Sequence, residues 1–129
     1  HRNYNVPGTT LHCIISGLFD SIGLYRPYNN LQEQKAMTWL GRLNMDREAC
    51  TPFRQLEYAQ QRLALIARAL IKVPRLLILD EPTQGLDESN RKAVLNFLED
   101  VAKENLCTIL YVSHREDEYR SFFNQHLRM

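Results

Sequence analysis

The chain has 129 residues, 44% hydrophobic and 24% charged, the make-up of about one globular domain able to bury a core. With 16 Lys and Arg against 15 Asp and Glu, the formal net charge is +1, so the basic footprint of a duplex-binding protein is missing and nucleic acid is not implied. No apolar run approaches the ~20 residues that cross a bilayer, and the N-terminus does not resemble a signal peptide. Cys13, Cys50 and Cys107 lie too far apart in sequence for a metal or redox motif. A soluble, cytoplasmic chain with reduced thiols is expected. It starts at His1 and not at a methionine, in a weakly patterned stretch to Thr10, which suggests a piece of a longer protein.

Leu11, Ile14, Ile15, Leu18 and Ile22 fall at three- and four-residue steps and predict a helix capped by Thr9 or Thr10. Gly23 to Asn29 reads as a loop. Asn30 precedes Glu33 at capping-box spacing and opens a second helix, with Ala36, Met37, Leu40 and Leu43 inward and an end near Asn44. After Thr51 and Pro52 a third helix turns Leu56, Ala59, Leu63, Ile66, Ala67 and Leu70 to one side, and Pro74 stops it. Leu76 to Leu79 is a short, unalternating apolar run, as expected of a parallel strand buried on both faces, and it ends in Asp80. Val94, Phe97, Leu98 and Val101 mark an amphipathic helix between Asp87 and Asn105, and Cys107 to Val112 gives a second buried strand. Strand, helix, strand is a βαβ unit with a right-handed crossover. The character changes near Thr51, so residues 1–52 are expected to form a helical subdomain with a leader, and residues 53–129 part of an α/β core.

The adjacent carboxylates Asp80 and Glu81 stand at the C-terminal end of a parallel strand, where open α/β sheets place their ligands. Taken alone, the pair is equally well explained by Asp80 capping a turn at Pro82. Its surroundings add to this. Leu76 to Asp87, LLILDEPTQGLD, resembles the Walker B strand and D-loop of the ABC ATPases. Leu56 to Leu70, LEYAQQRLALIARAL, resembles their signature motif and the helix behind it, and Tyr111 to His114 resembles their switch-histidine strand.

The resemblance implies the C-terminal part of a P-loop NTPase fold that works with ATP and magnesium. Asp80 would hold the magnesium through a water. Glu81, half-shielded at a sheet edge, would orient the attacking water and take its proton. His114 would reach the γ-phosphate, although a lone histidine is more commonly a surface residue. Asp87 would contact the second cassette of a head-to-tail dimer, while a plain helix N-cap explains it as well. Glu57, Tyr58, Ala59 and Gln60 would face the nucleotide of that second cassette.

Here the chain departs from the family pattern, since Leu56 to Gln60 stands where Leu-Ser-Gly-Gly-Gln is usual. Glu57 brings a negative charge toward a phosphate, and Ala59 a methyl where close backbone approach is needed. Nor do these residues contain a G-x-x-x-x-G-K-[ST] loop, so the chain by itself is expected not to turn ATP over. Without the rest of the sheet, its strands would expose apolar faces and favour self-association. The D-loop lacks the Asn-His-Leu-Asp form of the translation-factor branch. Phe53 to Asp87 and Leu18 to Tyr25 look most like double-cassette proteins of molybdenum transport or photorepair. Three roles remain open: an ATPase coupled to a membrane transport subunit, a soluble repair or regulatory ATPase, and a non-hydrolytic cassette.

Overall fold

The computed structural model describes residues 8–19, 28–113 and the backbone of Gln125–Leu127. They fall into two compact units that divide between Lys72 and Val73. None of the helices among the described residues is long and apolar enough to cross a membrane.

The first unit is helical. Helix α1 (Thr10–Ile15) starts at Thr9, whose hydroxyl accepts the His12 N–H at 3.1 Å, and passes into a single 3-10 turn, Ser16–Leu18. Leu11, Ile14 and Ile15 are buried as their spacing predicts, Leu18 is half-buried, and Ile22 lies outside the described residues. Helix α2 (Asn30–Arg42) begins one residue earlier than its sequence suggests. The capping box is Asn29 with Gln32, not Asn30 with Glu33: Gln32 N–H donates to Asn29 Oδ1 at 2.8 Å, and Asn29 N–H donates to Gln32 Oε1 at 3.1 Å. Glu33 then falls in the first turn, where a carboxylate suits the positive end of the helix. Ala36, Leu40 and Leu43 are buried, but Trp39 takes the inward place expected of Met37, which is only half-buried.

Helix α3 (Tyr58–Leu70), by contrast, starts later than expected. Phe53–Gln55 forms a 3-10 turn, and Leu56 and Glu57 are extended before the helix begins. Ala59, Ala64, Ile66, Ala67 and Leu70 are its buried residues. A strap over residues 46–56 connects α2 to α3 and is tied to α1. Thr10 N–H and Oγ1 both donate to the Thr51 carbonyl, at 2.8 and 2.9 Å, and Leu11 N–H donates to the Ala49 carbonyl at 3.0 Å. Gly17 lets the end of α1 lie directly on α3, because a Cβ there would run into the Arg68 carbonyl and come within 2.9 Å of Ile71 Cγ2.

The second unit opens at Val73, a β-branched residue at φ 50°, where the left-handed backbone is costly for such a side chain. Strand β1 (Leu76–Asp80) pairs in parallel with β2 (Thr108–Val112), from Leu76 beside Thr108 to Asp80 beside Val112. The crossover between them is α4 (Glu88–Lys103), with Val94, Leu95, Phe97, Leu98 and Val101 buried. A further parallel strand, β3 (Gln125–Leu127), lies beyond β2. Its short polar sequence carries no strand pattern, so it was not foreseen.

One expectation is overturned. Strand β1 is not buried on both faces: Leu77 and Leu79 are, while Leu76 is 51% and Ile78 59% exposed. Residues two apart share a face, so Leu76, Ile78 and Asp80 line an open side of the sheet, together with exposed Thr108 and half-buried Leu110. The opposite side carries Leu77, Leu79, Ile109 and Tyr111, all buried. Unalternating apolar sequence records what a strand could bury; neighbouring elements decide how much of it is covered.

Candidate functional site

The parallel ladder brings the acidic pair to the C-terminal edge of the sheet. Asp80 is the last residue of β1 and is exposed. Glu81 follows at φ 50° and is half-buried. Its N–H donates to the Val112 carbonyl at 2.8 Å, one step past the Asp80–Val112 pair. That bond holds the backbone while the left-handed φ breaks the strand's alternation, so Glu81 does not continue the pleat. The chain turns at once. Gln84 N–H donates to the Glu81 carbonyl, Leu86 N–H donates to the Thr83 carbonyl, both at 3.1 Å, and Gly85 takes φ 84°. Pro82 and Thr83 are buried beneath this double turn.

The turn delivers Asp87 to the start of α4, where its Oδ1 accepts the Asn90 N–H at 2.8 Å. Asp87 is therefore the helix cap that its position allowed. Arg91, one turn on, is 6% exposed, and its guanidinium meets Glu88 Oε2 at 2.6 Å. The sequence reading did not single it out, since an arginine in a first turn normally faces solvent.

Ser113, fully buried, is the last described residue after β2. His114 lies outside the described residues.

The other sequence-predicted residues lie in the first unit, at the start of α3. Glu57 is the N-cap, exposed and extended; Tyr58 is 56% exposed, and Ala59 is buried. The Arg62 guanidinium stands 5.0 Å from the Tyr58 ring centroid and donates to the Tyr58 hydroxyl at 2.6 Å. Gln60 is turned back into its own chain, its Oε1 accepting the Glu57 N–H at 3.2 Å and its Nε2 donating to Glu48 Oε1 at 3.4 Å. No cluster of metal-ligating side chains is present among the described residues. An exposed carboxylate such as Asp80 is still the oxygen donor that magnesium accepts when its other ligands are water and phosphate.

Strand, carboxylate pair, tight turn and capped helix, preceded in sequence by a helical unit, form part of a parallel α/β fold. Comparison with known proteins gives the family. The ABC transporter profile matches residues 8–84, more than half of the chain, and the chain belongs to that family. It is 45% identical over 119 residues to the ABC transporter ATP-binding protein ModF of Escherichia coli, covering 92% of this chain and 24% of ModF. Identity is 37% to the zinc uptake system ATP-binding protein ZurA of Listeria innocua, covering 87% and 44% of the two chains. It is 31% to the molybdate import ATP-binding protein MolC of Haemophilus influenzae, covering 92% and 47%. The chain thus spans less than half the length of these relatives.

Among solved structures, an ABC transporter in an inward-facing conformation superposes with a TM-score of 0.81 at 29% identity, over 99% of this chain and 52% of that one. A dimeric ATP-binding cassette bound to ADP and Pi gives a TM-score of 0.72 at 23% identity, over 100% and 56%. The fold is that of an ABC ATPase cassette, mixed α/β with a small parallel sheet.

Proposed function

We propose that this chain supplies the Walker B strand, D-loop and signature end of an ABC ATPase whose hydrolysis of ATP drives transport. The observation that supports the reading is the Glu81–Val112 backbone bond, which holds two adjacent acidic residues at the C-terminal edge of a parallel sheet, the edge at which open α/β sheets bind ligands. Asp80 would hold magnesium, and the ion, when bound, would neutralise charge on the phosphates. Glu81 orients a water and accepts its proton, and His114 contributes at the γ-phosphate. Asp87 and the N-terminal end of α3, which residues 57–60 form, meet a second cassette, and the helical first unit rests against a membrane transport subunit on the cytoplasmic side. Transport is preferred over photorepair because ZurA and MolC are named for uptake or import. Those names differ in cargo, zinc for ZurA and molybdate for MolC, so the molybdate reading rests on MolC and on the resemblance to molybdenum-transport cassettes seen in the sequence.

The test is Glu81→Gln in the whole protein. Steady-state ATP hydrolysis falls by about 10²- to 10⁴-fold, the range for removal of a general base, while ATP binding persists. A rate equal to wild type removes Glu81 from the mechanism. With no Gly-rich phosphate loop among its residues, the chain by itself binds ATP weakly; a micromolar dissociation constant for the chain alone would contradict this.

A second reading rests on Glu57. A carboxylate at the N-cap of α3 places negative charge where the helix end would otherwise attract a phosphate. In this reading the cassette is a non-hydrolytic partner of a competent one, and wild-type protein shows no turnover at saturating ATP.

A further inference from the structure

Each end of the Gln60 amide makes a hydrogen bond within the chain. Its Oε1 takes the Glu57 N–H and its Nε2 reaches the Glu48 carboxylate. Glu48 is no loosely attached surface acid. It closes the 3-10 turn Asp46–Glu48, its carbonyl accepts the Thr51 N–H at 3.0 Å, and the next residues are bonded to the start of α1 through Ala49 and Thr51. The same strap holds the neighbouring side chain, with Gln61 Nε2 donating to the Phe53 carbonyl at 3.1 Å. At the first turn of α3, Gln60 is thus directed toward the strap by an acid whose backbone is tied to α1 through Ala49 and Thr51.

We propose that Glu48 is an inhibitory latch on Gln60, which must be released before the α3 end can engage a nucleotide presented by a second cassette. The inference rests on the reading of residues 56–60 as a signature motif and adds its regulation. Glu48 is a positioning residue and touches no nucleotide. A shift of the strap relative to α3 opens the latch without unfolding anything, since the contact is a single side-chain hydrogen bond to a charged acceptor.

The experiment measures the ATP concentration that half-saturates self-association of the whole protein, by sedimentation, for wild type, Glu48→Ala, Glu48→Gln and Gln61→Ala. Glu48→Ala lowers it by about three- to tenfold, the scale of one hydrogen bond to a charged group at a partly exposed site. Glu48→Gln lowers it less, because the amide oxygen still accepts from Gln60. Gln61→Ala, which frees the strap at Phe53 and so eases the same shift while leaving Glu48 in place, lowers it less than Glu48→Ala, and a larger effect than that of Glu48→Ala would overturn the latch. Equal effects of Glu48→Ala and Glu48→Gln would reduce the contribution to bare charge and overturn the latch, as would no effect of either. The combined Glu57→Ser and Ala59→Gly variant separates the two ideas. If it gains ATP-driven association while Glu48→Ala does not, the signature reading stands and the latch falls. If no variant associates with ATP, both fall.

Discussion

Gly17 and Arg68, far apart in sequence, meet backbone to backbone: the Cα of one faces the carbonyl of the other with no space for a methyl between them. The contact is reinforced by Arg68 Nε, which donates to Ser16 Oγ at 2.9 Å, while that hydroxyl donates to the Cys13 carbonyl at 2.6 Å. Gly41, in α2, is the contrast, with open space where a side chain would go.

Gly17→Ala is therefore expected to destabilise the chain by about 1–3 kcal/mol, the scale of an overpacked contact between rigid backbones. Gly41→Ala is expected to stabilise it by roughly 0.5–1 kcal/mol, since a helical glycine loses more backbone freedom on folding than alanine. Urea unfolding of the two variants beside wild type checks the pair. Equal and opposite signs in the reverse order would mean that α1 does not lie on α3 as described.

Restoring the usual signature residues has a definite direction. Glu57→Ser with Ala59→Gly removes one negative charge and one methyl from the α3 end and should strengthen ATP-driven dimerisation of the whole protein by about tenfold, on the scale of a charge at a helix N-terminus plus a regained hydrogen bond. Light scattering with and without ATP decides it, and no gain would show that the departure from the family pattern is tolerated.

The open side of the sheet predicts association of the isolated chain. Leu76 and Ile78, on a strand with an unpaired edge among the described residues, expose apolar surface that a second copy can cover. Ile78→Lys should shift sedimentation of the chain toward monomer with little loss of folding stability, because the position is 59% exposed. A variant as associated as wild type would place the contact elsewhere.

The thiol of Cys13 links stability to alkaline pH. Burial pushes its pKa up, and the nearby Arg68 guanidinium pulls it only partly back. Cys107 shifts in the same direction through burial alone. Each folded pKa lies above its unfolded value, so the unfolded chain loses these protons first. The stabilisation is complete below the ordinary thiol range and is lost as pH rises from roughly 8.5 through the folded values. The urea midpoint should fall between pH 8 and pH 10 on the order of the thiol range, and Cys13→Ala should flatten part of that fall. An unchanged slope in the variant would show that Cys13 does not carry it.

Much of this molecule follows from local sequence. The periodicity of Ile66, Ala67 and Leu70, the apolar run that stops at Asp80, and the offset of Val94, Leu98 and Val101 each depend only on residues a few places away. The helices, both main strands and the position of the acids were therefore legible. Asp87 as a helix cap was likewise one of two readings that its place allowed.

What lies between distant residues was not legible. Whether Leu76 and Ile78 are covered depends on what stands above the sheet, so alternating burial replaced the expected two-sided core. Asn29 rather than Asn30 became the cap because Gln32 could answer it from both ends. The left-handed turn at Glu81 is held by Val112, a partner from the next strand, and Gln60 faces inward because α1 anchors the strap that carries Glu48. Periodicity specifies which surface an element can bury or bond, while only the assembled neighbours determine which part of that surface is used.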